Sequence, residues 1–265
     1  MAYSLTKIGE AGTLKYCLFF KKNNTPISPF HDIPLWADKN AGIANMVVEI
    51  PRGQQAKLEI SRDIFLNPIK QDVKNGKLRY VAMKYPFNYG ALPQTWENPC
   101  ILHPDTNASG DNDPVDVCNI SSLQYNTGDV IQVKILGTYA MIDEGETDWK
   151  ILAVDVNDEK ASQMNDVEDI DKVIPGTTKA VYEFLRDYKI PDGKPANVFA
   201  FESKPQNRDY AIKVIEEAHK EWVEIIQDKI SSETKNKVKI STACTQVECP
   251  FTVKNISEEV LESKI

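Results

Sequence analysis

Little in this sequence favours nucleophilic side-chain chemistry. It holds 3 histidines and 5 cysteines in 265 residues, and no strong Ser–His or Cys–His pair suggests itself. The cysteines (Cys17, Cys100, Cys118, Cys244 and Cys249) are odd in number, scattered and without C-x-x-C spacing. That argues for reduced thiols and a cytoplasmic location, with Cys244 and Cys249 the one plausible pair under oxidation. No run approaches the length of a membrane span, and the start Met1-Ala2-Tyr3-Ser4 has no apolar h-region, so neither a span nor a signal peptide is expected. Internal repeats are missing too. Basic residues are in deficit: 31 Lys and Arg face 39 Asp and Glu, for a net charge of −8. A general binder of nucleic acid or anionic membrane would show the opposite balance. A small anionic substrate remains compatible, because bound divalent cations invert the local charge.

What is abundant is acid in short stretches. Asp111, Asp113 and Asp116 fall within Gly110-Asp111-Asn112-Asp113-Pro114-Val115-Asp116, and Asp143, Glu144, Glu146 and Asp148 precede Lys150. Like charges about 4 Å apart cost roughly 1 kcal/mol in water and about 4 kcal/mol near a protein surface. Such acids must stay wet and apart, take up protons, or bind cations. A loop stiffened by Pro114 between strand-like segments favours cations, and hard ones such as Mg²⁺ prefer oxygen ligands. An EF-hand is excluded, since Val115 stands where Asp or Asn is needed.

The first half reads as β. Leu14–Phe20, Met46–Ile50, Lys57–Ile60, Leu78–Met83, Val130–Tyr139 and Trp149–Val154 are apolar or alternate with period two, and Gly53, Gly76, Gly128 and Gly145 punctuate them. Short strands with such turns suggest a sandwich or a barrel. A barrel is preferred, because charges at alternate positions would line one mouth. The second half turns helical over Thr177–Tyr188 and Asp209–Ile230, where apolar residues recur at helical spacing. The expectation is therefore a mainly β, α+β fold forming a single domain over residues 1–230. Residues 231–265 are polar and aperiodic, and read as a loosely ordered tail with a short helix near Ser257–Lys264.

Bases are interleaved with these acids. Period two puts Lys57 and Glu59 on one strand face, with Glu49 and Arg79 on or near neighbouring strands, Tyr85 and Tyr89 in Lys84–Gly90, and Tyr188-Lys189 at the end of the first helix. Asp72 reads either as a support for Arg79 or as a turn residue. Taken singly, each is more simply a solvent-facing or packing residue. Jointly, carboxylates with Lys, Arg and Tyr suit phosphoryl transfer to water. A two-carboxylate glycosidase would need neither the bases nor so many acids.

The chain resembles the soluble family I inorganic pyrophosphatases. The resemblance is carried by the D-x-D-P-x-D pattern at Asp111–Asp116, and by Asn45–Arg52, Lys57–Ile60, Asn88-Tyr89-Gly90, Asp143–Lys150 and Tyr188–Pro195, in that family's order. It covers roughly Leu14 to Ile230, and segments such as His31–Leu35 and Pro93–Trp96 look like the animal and fungal branch. It implies a five-stranded, OB-like β-barrel with packed helices, hydrolysis of pyrophosphate with several Mg²⁺ ions, and a homodimer. By the same resemblance Asp111, Asp116 and Asp148 are ligands of a tight metal site, and Asp116 bridges to a second metal. Asp143 and Asp148 serve a substrate-borne metal, helped by Glu59 with Glu49 nearby. Asp113 is the general base; Lys57, Arg79, Tyr89, Tyr188 and Lys189 hold phosphate; Lys150 tunes the acids. Two departures stand out: a shortened segment between Arg79 and Asn88, which aligns Tyr85 with a bacterial pattern, and Gly53 in place of an aromatic residue. Both could lie on the subunit face. The alternative is a catalytically inactive OB-like module that binds phosphate.

Overall fold

The computed structural model describes residues 3–247, 249–254 and 256–264. Five strands form its centre. Ile43–Ile50 pairs antiparallel with Asn88–Ala91, which pairs with Asp116–Asn119. That strand runs parallel to Glu146–Asp155, whose hairpin partner Val130–Asp143 pairs back onto Ile43–Ile50. The pairing returns to its starting strand, so the five close on themselves and leave no free edge.

A second sheet, in the order Tyr3–Ile8, Cys17–Lys22, Ile69–Gln71, Leu58–Ile60, carries Glu59 on its last strand and Lys57 just before it. The expected strand over Leu78–Met83 does not form. Val73–Lys74 and Lys77–Leu78 make a small hairpin, and beyond it the backbone bonds irregularly, with Lys57 N donating to Arg79 O and Val81 N to Gln55 O. Alternation is present there, but the pairing stops at a single antiparallel bridge, Ala56 with Tyr80, too short for a strand.

Alternate residues of the closed sheet face different apolar clusters. Cys118, Leu152 and Val154 pack under α1 (Val167–Val173) and α2 (Thr177–Asp187), while Val117, Ile151 and Ala153 pack under α3 (Arg208–Ile226). Helix α3 buries Ala211, Val214, Ile215, Ala218, Trp222, Ile225 and Ile226, the stripe its spacing predicts. Helix α1 was not anticipated; its start is fixed by a capping box between Asp166 and Asp169.

The segment after residue 230 departs from the expected loose tail. Helix α4 (Ser232–Val238) and α5 (Glu258–Glu262) lie on the body, and Val238, Cys244 and Leu261 are buried in its clusters. The α5 span falls within the short helix expected there. All five cysteines are free. Among the described residues no helix is long and apolar enough to cross a membrane.

Candidate active site

The acids and bases of the sequence converge on one cavity of about 300 Å³ at the polar end of the α2-facing side of the closed sheet. Register explains why. Period two sends Glu146, Asp148 and Lys150 to one face, and Asp116 lies beside Lys150 in the parallel pairing. A tight hairpin turn with positive φ at Glu144 and Gly145 places Asp143 opposite Glu146. The Asp111–Asp116 loop is built around an Asx turn, in which Asp113 N donates to Asp111 Oδ1 at 2.9 Å. Its backbone is pinned by Asn112 N to Glu97 O and Glu97 N to Asp113 O, each 2.9 Å.

Of the expected residues, only Tyr85 stays out of the cavity lining. It is buried behind Tyr89, rings 5.3 Å apart, and against Phe184. Tyr85 packs there against the neighbour that reaches the site.

Nine carboxylates and five cationic side chains line the cavity, so the cations cannot neutralise the acids. Lys150 is the buried hub: its Nζ bonds Asp116, lies 2.5 Å from Asp148 Oδ1 and donates to Tyr89 Oη at 2.9 Å, while Tyr89 Oη donates to Asp116. Lys57 pairs with Glu59 at 2.9 Å. Although burial opposes its charge, Glu59, Tyr85 and Asp116 hold its ammonium well above the usual range. Arg79 is anchored by Asp72 at 2.9 Å and keeps a buried Nε without a partner. Of the two readings of Asp72, the structure shows the support. Lys189 bonds Asp143, with Tyr188 Oη 3.4 Å from the same oxygen. Glu49, buried, accepts from Ile60 N at 2.7 Å and so fixes the strand that carries Glu59.

Burial pushes Asp148 up to about 7 against Lys150, and Asp113 up to about 6 against Arg62. Burial, then Asp148, raises Asp111 well above the carboxylate range. These directions describe the acids without cations, with burial as their largest cause.

A model of the family described as inorganic pyrophosphatase matches residues 46–223. The chain belongs to that family. It is 60% identical over 88% of its length to an inorganic pyrophosphatase of Dictyostelium discoideum (83% of that protein), and 53% identical over 87% to one of Zygosaccharomyces bailii (82% of that protein). The structure of a Schistosoma japonicum inorganic pyrophosphatase superposes with a TM-score of 0.89 at 43% identity, covering 96% of this chain and 92% of that one. An N-terminally truncated vacuolar soluble pyrophosphatase of Trypanosoma cruzi, in complex with PPi, superposes with a TM-score of 0.82 at 36% identity over 86% of this chain and 92% of that one.

This family is metal-dependent, and the donor set fits a hard cation. Glu97, Asp111 and Asp148 each bring a carboxylate oxygen within 4.8 Å of the others. Glu97 Oε2 and Asp143 Oδ1 are buried with no hydrogen-bond partner, and Asp148 Oδ1 meets Lys150 outside hydrogen-bond geometry. Oxygens left so are what divalent cations complete. Two residues escaped the sequence reading. Glu97 is buried at the back of the acids, with Oε1 accepting from Trp149 N at 2.9 Å. Arg62 lines the cavity and bonds Asp113 Oδ1 at 2.5 Å.

Proposed function

We propose that this chain hydrolyses inorganic pyrophosphate to two orthophosphates with Mg²⁺ as the metal, in the cytoplasm and as a homodimer. One observation carries the reaction: the cavity combines a large excess of carboxylate with a ring of cations and tyrosines, yet its lining, among the described residues, contains no Ser, Thr, Cys or His. That lining favours attack by water over attack by a hydroxyl or thiol side chain.

Asp111, Asp116 and Asp148 would hold the tighter cation, with Asp116 shared between sites; Asp143 and Asp148, helped by Glu59, would hold one that arrives with substrate. When bound, Mg²⁺ polarises phosphoryl oxygens and acidifies water. Asp113, on the loop between Asp111 and Asp116 and paired with Arg62, would accept the proton of the attacking water. Lys57, Arg79 and Lys189 hold phosphate oxygens, with Tyr89 and Tyr188 donating hydrogen bonds as charge builds on the leaving group. Lys150 keeps Asp116 and Asp148 together before cations arrive. Five free cysteines support a reducing compartment, and sedimentation velocity reads the oligomer.

Phosphate release from pyrophosphate tests the reading. Turnover should vanish with a chelator and return with Mg²⁺, and Asp113→Asn and Asp116→Asn should each lower kcat by about 10²- to 10⁴-fold while remaining folded. A folded, metal-replete parent that binds pyrophosphate without turnover would leave the inactive binding module instead.

A further inference from the structure

The loop carrying Asp111 and Asp113 is held from outside by the C-terminal segment. Asn112, between the two acids, has a left-handed backbone (φ 75°). Its Oδ1 accepts from Trp96 Nε1 at 3.0 Å, and its Nδ2 donates to Val238 O, at the end of α4, at 2.8 Å. Three residues further on, Ser241 N donates to Arg62 O at 2.7 Å. Asn67 Nδ2 reaches both Arg62 O (3.0 Å) and Ser241 O (3.2 Å), and His31 donates to Ser241 O at 2.9 Å. Arg62 in turn bonds Asp113. Both members of the Arg62–Asp113 pair therefore sit on loops whose backs are fastened to the same few residues of the tail.

We propose that residues 238–241 are a positioning clamp for the catalytic loop. Neither Val238 nor Ser241 lines the cavity, so the clamp acts through Asn112 and the Arg62 backbone. Three aspartates on one loop repel one another, so ties beyond the backbone bonds to Glu97 help to hold it in place. Asparagine suits position 112 doubly, since it tolerates the left-handed conformation and offers the donor and the acceptor that its two partners require. A tail that merely covered apolar surface with Val238, Cys244 and Leu261 would need none of these polar ties.

The inference rests on the proposed function only for what the loop does, and two measurements separate the two claims. The first is native-state hydrogen exchange on the full chain with rising denaturant. The Ser241 amide, bonded to Arg62 O, and the Asn112 amide, bonded to Glu97 O, should open together on one isotherm, as one cooperative unit. Exchange of Ser241 well before Asn112, with Asn112 protection untouched, overturns the clamp whatever the protein does.

The second is Mn²⁺ affinity of the substrate-free protein, read by isothermal titration. Asn112→Gly keeps the backbone conformation and removes both ties. It should weaken Mn²⁺ binding about 10-fold or more, the scale seen when supporting hydrogen bonds to metal ligands are lost. Activity should fall more at limiting than at saturating Mg²⁺. Leu261→Ala, which loosens the tail away from the clamp, should lower stability with Mn²⁺ affinity unchanged. Parent-like Mn²⁺ affinity in folded Asn112→Gly sinks the proposal, whereas a parent that neither binds Mn²⁺ nor hydrolyses pyrophosphate sinks the functional reading and leaves the exchange result standing.

Discussion

Glu97 is the residue on which the site's chemistry can be tested most sharply. It is 5% exposed, and burial, followed by Asp111 and Asp148, pushes its carboxyl well above the usual range. Lys150 pairs with Asp116 and Asp148, and among the described residues no ion pair reaches Glu97. Glu97 Oε2 is buried without a hydrogen-bond partner, beside carboxylate oxygens of Asp111 and Asp148 with which it could share a cation. Glu97→Gln keeps size and the bond from Trp149 N. It should lower Mg²⁺ affinity about tenfold and leave kcat at saturating Mg²⁺ within a few-fold of the parent. Unchanged affinity together with raised thermal stability would make Glu97 a neutral spacer. The aspartates are legible in the sequence because they are dense, and the bases because they recur beside acids. Glu97 gives no such signal: it follows Trp96 in a largely apolar stretch with no charged neighbour. Arg62 was likewise hidden, because its link to Asp113 is 51 residues long and nothing in its own segment points there.

At the scale of elements, length decided what could be read. The long hairpin of Val130–Asp143 with Glu146–Asp155, and helices α2 and α3, repeat their periods often enough to be plain. The strands Asn88–Ala91 and Asp116–Asn119 hold four residues each, too few for a period, yet they carry Tyr89 and Asp116 and close the ring. Gly90 makes that closure possible. The pairing of its strand with Ile43–Ile50 shifts register between Tyr89 and Gly90, and a Cβ there would stand 1.9 Å from Val47 O and 3.0 Å from Met46 Cε. The first contact is with backbone, so no rotamer change relieves it. Gly90→Ala should cost about 3 kcal/mol or more, seen as a lower urea midpoint or loss of soluble protein. Gly145→Ala is a fair comparison: φ is 92° with open space around the site, so only the backbone strain applies, about 1 to 2 kcal/mol. Equal midpoints for the two variants would mean that the strands at Gly90 can slide apart, and that the ring is not held there.

For the whole molecule, the tail was misread because it is fastened by hydrogen bonds and isolated apolar anchors, which leave no stripe in the sequence. His31 joins the parts. It is fully buried, its Nδ1 accepts from Trp222 Nε1 on α3 at 2.9 Å, and its Nε2 donates to Ser241 O on the tail at 2.9 Å. Both ring nitrogens are committed in the neutral form, and protonation at Nδ1 would remove the acceptor that Trp222 needs. Burial accordingly pushes its pKa down to about 4, against about 6.5 in an unfolded chain. Between those values the unfolded state binds the extra proton, so this contribution is complete above pH 6.5 and is lost as pH falls toward 4. Between pH 7.5 and 5.0 the loss from this one group is about 2 kcal/mol. The raised carboxyls of Asp111, Asp113 and Asp148 act with the opposite sign, since the folded state holds their protons more tightly, and they would mask the effect in the parent alone. They are common to parent and His31→Asn, so the difference between the two proteins isolates the histidine. Urea unfolding at both pH values should show His31→Asn weaker at pH 7.5 but losing about 2 kcal/mol less on acidification. Parallel losses would show that His31 carries its proton in the folded protein, and that the joint between α3 and the tail is not the neutral relay its geometry describes.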